Sequence, residues 1–269
     1  MPSASQTRRR ELARLKARRE AERRRARRRR ALLLYGGLGV VILVAGVAGI
    51  TLRGQEKPKP AAQSGQDARI DVPTAPATVA CGGKTPARVQ HPKLDRAPKS
   101  KANARQRYEV LLKTSCGDVT LRLDPKTAPV TTFNFVFLAQ RHYYDSTWFH
   151  RIVPGGPDNI GVIQGGDPKG TGEGGPGYNI PDELPKGKDP YKKYTIAMAN
   201  SGPDTSGSQF FISTQDNGTK KLQSNYTLFG KVVKGQDVID KIARIATSGQ
   251  RGDTPTEAVW IETATVSIT

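Results

Sequence analysis

The chain has 269 residues, a formal net charge of +19 and an apolar fraction of 36%, enough for one or two domains and too polar for a multi-span membrane protein. Two cysteines exclude a multi-disulfide scaffold, and His91, His142 and His150, with no cysteine cluster near them, offer no zinc pattern. The charge is uneven: residues 1–30 carry net +11, residues 31–52 none, residues 53–107 net +8, and residues 108–269 equal numbers of acids and bases, which disfavours a basic nucleic-acid-binding domain in the C-terminal part.

In chain order, residues 1–30 form an Arg-rich tail, and residues 31–52 are an uncharged 22-residue run. As a helix that run is about 33 Å long, enough for a hydrocarbon core of roughly 30 Å. A buried core helix does not fit, because the run has no polar face and is followed by linker. A cleaved signal peptide is the rival. The long basic stretch ahead of the run and its length favour an uncleaved signal anchor. The flanking arginines place the N-terminus in the cytoplasm and everything after residue 53 outside it, a single-pass plasma-membrane topology. The tail then reads as a topology signal that also attracts anionic lipid, rather than as a nucleic-acid site. Membrane lipid is an expected partner through residues 31–52, and nucleic acid is not.

Residues 53–107 hold seven prolines and no apolar periodicity, and read as a linker. Part of it, around Cys81, could dock on the domain that follows. Cys81 and Cys116 are either a disulfide or two free thiols, and the inferred compartment favours the disulfide.

Residues 108–269 form the globular domain. Alternation predicts a hairpin of strands 108–114 and 118–123 with a turn at Ser115–Asp118. Thr127 as cap and Pro129 in the first turn open a helix whose apolar positions are Phe133, Val136 and Phe137. Strands follow at 147–153 and 161–164, then a glycine-rich loop over 165–177, and strands at 195–199, 209–213 and 228–233. A helix at 236–245 and a strand at 259–268 close the chain. Many antiparallel strands with a helix near each end suggest a closed β-barrel capped by two α-helices. The chain lacks the P-loop, the G-x-S-x-G elbow and the strand–G-x-G-x-x-G–helix unit.

The remaining conspicuous blocks are Phe149-His150-Arg151-Ile152, Gln164-Gly165-Gly166-Asp167, Gly170-Thr171-Gly172, Met198-Ala199-Asn200 with Gly207-Ser208-Gln209-Phe210-Phe211-Ile212, and Phe229-Gly230-Lys231-Val232. In order and spacing they resemble the cyclophilin-type peptidyl-prolyl isomerases over residues 108–269. The resemblance implies a mainly β fold, an eight-stranded antiparallel barrel with two capping helices, and rotation about X–Pro bonds without cofactor or metal. It implies catalytic roles for Arg151, Gln164, Gln209 and Phe211, and substrate contacts from Val162, Gly170, Thr171, Ala199, Asn200, Leu222 and Tyr226. The partners are proline-containing polypeptides; the oligomeric state is open, with a monomer favoured. Gly161 stands where the family has a pocket phenylalanine, with Ile160 or Val162 available to refill the space. Lys221 stands where a tryptophan is common, which argues against tight cyclosporin binding. Strand alternation turns His150 to the face opposite Arg151. The function expected is folding assistance to extracytoplasmic proteins, and the alternative is a weakly catalytic or non-catalytic proline-peptide-binding chaperone module.

Overall fold

The structure, a computed structural model, describes residues 75–218 and 222–269. The Arg-rich tail, the expected anchor at 31–52, the linker up to residue 74 and Lys221 lie outside the described residues. Among the described residues no helix is long and apolar enough to cross a membrane.

Strands β1 (Tyr108–Thr114) and β2 (Gly117–Leu123) form the expected hairpin. Helix α1 (Pro129–Ala139) follows, with Ala128 rather than Thr127 at its N-cap and no side-chain cap from either. The Thr127 hydroxyl is spent on Asp124. The free N–H groups of Val130 and Thr131 donate instead to the two carboxylate oxygens of Glu183, at 3.0 and 2.8 Å, so an acid more than fifty residues away satisfies the start of the helix.

The stretch expected as one strand over 147–153 is two, β3 (Thr147–Trp148) and β4 (Arg151–Val153). They change partner between them: β3 pairs with the last strand and β4 with β5 (Val162–Gly165). The remaining elements are β6 (Thr195–Met198), β7 (Phe210–Ser213), β8 (Leu228–Lys234), α2 (Gln236–Ile242), a short hairpin of β9 (Thr247–Ser248) and β10 (Thr254–Pro255), and β11 (Trp260–Ile268).

Nine strands, rather than eight, join in one antiparallel sheet of order β3-β11-β1-β2-β8-β6-β7-β5-β4. The ladder is not closed by pairing between its end strands β3 and β4. These are neighbours in sequence, separated only by Phe149 and His150, so the sheet must curl for its ends to meet.

The interior is apolar and aromatic. Phe135 of α1 is fully buried and packs against Tyr144, Phe210 and Phe229, with ring centroids 4.6, 5.3 and 5.2 Å away. Register then sorts the faces. Ile152, Ile163, Ile212 and Ile196 stand directly opposite one another across β4, β5, β7 and β6, all fully buried in this core. The adjacent cross-strand row is Arg151, Gln164, Phe211 and Ala197, which alternation sends to the other face.

Residues 75–107 are bonded along this domain. Ala80 N–H donates to Ala258 O and Ala258 N–H to Thr78 O, a short parallel bridge centred on Val79. Ser146 Oγ donates to Ala87 O, Leu94 N–H to Pro176 O, and Ala102 N–H to Pro129 O. These contacts are mostly main-chain, so they need no apolar periodicity in the segment. Cys81, in a tight turn over Ala80–Gly82, is disulfide-bonded to Cys116 in the β1–β2 turn. The bridge closes a loop of sequence separation 35, for which chain entropy gives up to about 4 kcal/mol. Cys81→Ser is expected to lower unfolding stability by about 2–4 kcal/mol, read from urea denaturation of oxidised wild type and variant side by side.

Candidate active site

Of the row Arg151–Gln164–Phe211–Ala197, the first three residues line a cleft of about 670 Å³ that also takes in Ile160, Val162, Thr171, Ala199, Asn200, Leu222 and Tyr226, with Ala197 buried beside Phe211 in the same apolar cluster. A second cleft of similar volume, lined by residues 172–179 and Gln209, shares Gln164, Gly172, Glu173, Ala199 and Asn200 with the first. The structure thus brings most of the expected site residues into two adjoining depressions. Gly170 is the exception. It has φ +66° and sits against the Trp148 indole, where a Cβ would collide with the ring nitrogen, so it shapes the loop from behind and does not line the cleft.

One side of the cleft is polar and directional. Arg151 Nη1 donates to Gln164 Oε1 at 3.3 Å, Gln164 Nε2 to Gln209 Oε1 at 3.0 Å, and Gln209 Nε2 to the carbonyls of Gly172 and Gly174, both at 2.9 Å. The two carbonyls can only accept, which fixes the Gln209 amide, which in turn fixes Gln164 with its oxygen toward the guanidinium. Arg151 Nε donates to Asp253 Oδ2 at 2.8 Å. Among the described residues two of the five guanidinium N–H groups are used and three have no partner.

The loop bearing the two carbonyls is gathered by Asp167, which is fully buried. Its Oδ1 accepts from Lys169 N–H at 2.8 Å, and its Oδ2 from the N–H groups of Thr171, Gly172 and Gly174 at 3.0, 2.7 and 3.0 Å. Four amides compensate the desolvation of one carboxylate.

The other side is apolar. Val162, Ala197, Phe211 and Leu222 are buried in one cluster with Ile160, Ala199, Tyr226 and the hidden Tyr191. Tyr226 meets Phe211 edge-on, with centroids 5.4 Å apart. Tyr191 donates to Tyr226 O and accepts from Tyr226 N–H, at 2.8 and 3.0 Å, clamping the pocket wall from behind. Burial pushes its phenol up to about 12, so it stays neutral. At residue 161 a Cβ would lie 2.6 Å from Thr214 Oγ1 and 2.8 Å from Gln215 Cγ, so a larger side chain there would require both to shift, and Ile160 and Val162 on either side supply the apolar wall.

Asn200 lines both clefts, and its side chain is tied to neighbouring loops. The carboxamide donates to Asn225 O and accepts from Gly202 N–H. His150 departs from its expected orientation. It falls in the break between β3 and β4, where alternation no longer holds, and it lines the cleft beside Arg151. Among the described residues neither ring nitrogen has a hydrogen-bond partner, and burial lowers its pKa from 6.5.

Asp253, Tyr191 and Asp167 are the site residues that pattern reading missed. Asp253 lies 102 positions from Arg151, in a segment without periodicity, and nothing local connects them. Asp167 could have been inferred, because an Asp ahead of three closely spaced glycines is a common loop organiser.

The comparisons with known proteins agree in kind. The family model described as cyclophilin type peptidyl-prolyl cis-trans isomerase/CLD matches residues 109–266. Peptidyl-prolyl cis-trans isomerase A of Mycobacterium tuberculosis is 41% identical over 173 residues, covering 58% of this chain and 90% of that protein. Peptidyl-prolyl cis-trans isomerase B of Streptomyces anulatus is 42% identical over 180 residues, covering 61% and 98%. A crystal structure of a Cryptosporidium parvum cyclophilin-type isomerase in the presence of the dipeptide Ala-Pro has a TM-score of 0.52 and 30% identity, covering 59% of this chain and 98% of its own.

Two histidines, buried His150 and half-buried His91, are expected to give the domain a pH dependence. Burial lowers the pKa of both His150 and His91 from 6.5. Below about pH 6.5 the unfolded chain therefore binds more protons than the folded one, and stability falls as pH drops. Above it these two groups contribute no slope. The melting temperature is expected to be level between pH 7 and 8 with respect to these groups and to fall toward pH 5, and substituting both by Gln is expected to flatten that acid limb.

Proposed function

The chain belongs to the cyclophilin-type peptidyl-prolyl cis-trans isomerases, and on that premise we propose that it is a membrane-anchored isomerase that assists the folding of extracytoplasmic proteins at their X–Pro bonds. The observation that carries the catalytic part is a guanidinium with free N–H groups at the polar edge of an apolar pocket.

The X–Pro bond is slow to rotate because amide resonance puts the barrier at about 18–20 kcal/mol. Catalysis needs no nucleophile, base or metal; it needs the nitrogen to lose conjugation. In this reading the proline ring enters the pocket of Phe211, Val162 and Leu222. Arg151 donates to the prolyl carbonyl and to the pyramidalising nitrogen of the twisted amide. The low-polarity surroundings strengthen that contact, and it forms chiefly at the top of the barrier. Gln164 and Gln209 hold the guanidinium and the loop in register. Thr171, Ala199 and the main chain of Asn200 bind the peptide on the side before the proline. The filled wall at Ile160 and Val162 weighs against the chaperone-only alternative.

The location rests on sequence. The net +11 tail ahead of an uncharged 22-residue run supports a cytoplasmic N-terminus, an anchor at 31–52 and an extracytoplasmic catalytic domain. A Cys81–Cys116 disulfide is compatible with that compartment.

Full-length protein is expected to accelerate isomerisation of a proline tetrapeptide, and Arg151→Ala to lower kcat/KM at least tenfold, a barrier increase of more than ~1.4 kcal/mol, without loss of the folded state. Activity is expected to be nearly level from about pH 7 to 9, because Arg151 stays charged, the glutamines and Asn200 do not ionise, and His150 is already neutral. For topology, a cysteine introduced at residue 60 is expected to react with a membrane-impermeant reagent in intact cells. Protection of that residue in intact cells and reaction only after lysis would place it in the cytoplasm.

A further inference from the structure

Arg151 is half-open to solvent, with 33% of its side chain exposed, and a long side chain in that setting samples many rotamers. The contact to Gln164 is 3.3 Å long and engages one Nη only, which leaves the guanidinium plane free to swing. The second contact, Nε to Asp253 Oδ2 at 2.8 Å, is short and charge-assisted, and the Asp253 side chain is only 14% exposed.

Asp253 is itself held. Its main-chain oxygen accepts from Ile152 N–H at 2.9 Å, the residue next to Arg151. The β9–β10 hairpin that carries it is tied by Thr247 Oγ1 to Gly252 O at 2.7 Å, by Gly252 N–H to Gly249 O at 3.0 Å, and by the Ser248–Thr254 pairing. A fixed acceptor on the Nε side and a fixed acceptor on the Nη1 side define a plane. With Gln164 and Asp253 both engaged, the remaining Nη hydrogens are the donors left for the cleft.

We propose that Asp253 is a positioning residue for the isomerase reaction, orienting Arg151 through Nε so that its free Nη groups meet the twisted amide. This rests on the isomerase reading of the cleft. The contribution is to geometry and not to substrate binding, so it bears on kcat and not on KM.

The test uses the full-length protein in detergent. Asp253→Ala is expected to lower kcat at least fivefold with KM changed less than twofold and the melting temperature preserved, since the main-chain bond to Ile152 does not depend on the side chain. Asp253→Asn, which keeps an acceptor oxygen, is expected to recover most of the loss. In an Arg151→Ala background Asp253→Ala is expected to cost nothing further. The Nε–H resonance of Arg151, assigned by its disappearance in Arg151→Ala, is expected to be resolved and slow to exchange in wild type and to lose that protection in Asp253→Ala. Unchanged kcat in Asp253→Ala, an equal loss with and without Arg151, no recovery with Asn, or an unprotected Nε–H in wild type would each overturn the proposal. Absence of turnover in wild type would instead overturn the isomerase reading, and the Nε–H signal would still decide the pairing.

Discussion

The site depends on strand register. Four isoleucines, 152, 163, 196 and 212, occupy one cross-strand row on the buried face. Because side chains alternate, the neighbouring row carrying Arg151, Gln164, Phe211 and Ala197 must face the other way. A slip of one residue toward the cleft row would put Arg151, Gln164 or Phe211, or in β6 the small Ala197, in the place of an isoleucine. Burying each isoleucine is worth roughly 1.5–3 kcal/mol, so the core enforces the register that the cleft uses.

A second constraint runs along the loop. Asp167 draws four amide groups onto one carboxylate, and the loop so folded turns the Gly172 and Gly174 carbonyls toward Gln209. From there the order of donors and acceptors passes through Gln164 to Arg151 without an ambiguous amide. The cleft joins this polar chain to an apolar cluster, and each half supports the other. The apolar wall lowers the polarity beside the guanidinium, and the polar chain holds the guanidinium at the cleft edge.

Much of this was legible in the sequence. The β1–β2 hairpin, the Pro129 helix start and the strands flanking Gln164 and Phe211 followed from local alternation and punctuation, and the block order around Arg151, Gln164 and Gln209 pointed to the family. What was hidden depends on distant pairing. Glu183 closes the start of α1 from more than fifty residues away, and Asp253 reaches Arg151 from a hairpin of two-residue strands. Tyr191 lies in a segment with no period, yet is fully buried. The stretch 147–153 read as a single strand because its pattern continues across the point where the chain changes partners, and His150, at that break, escaped the alternation rule for the same reason.

The attachment at Cys81 has a mechanical side. Tension applied to the chain ahead of residue 81 enters the domain at the β1–β2 turn through the bridge to Cys116, with the Ala80–Ala258 bond beside it. Both strands of that hairpin are paired on both edges, so the load falls on the interior of the sheet. Residues 82–107 lie off that path, including Leu94, whose bond to Pro176 braces the wall of the second cleft. With the bridge reduced, the same tension would run along 82–107 and pull directly on that brace. By this geometry the disulfide would shield the loops around the second cleft from tension on the N-terminal side of the chain.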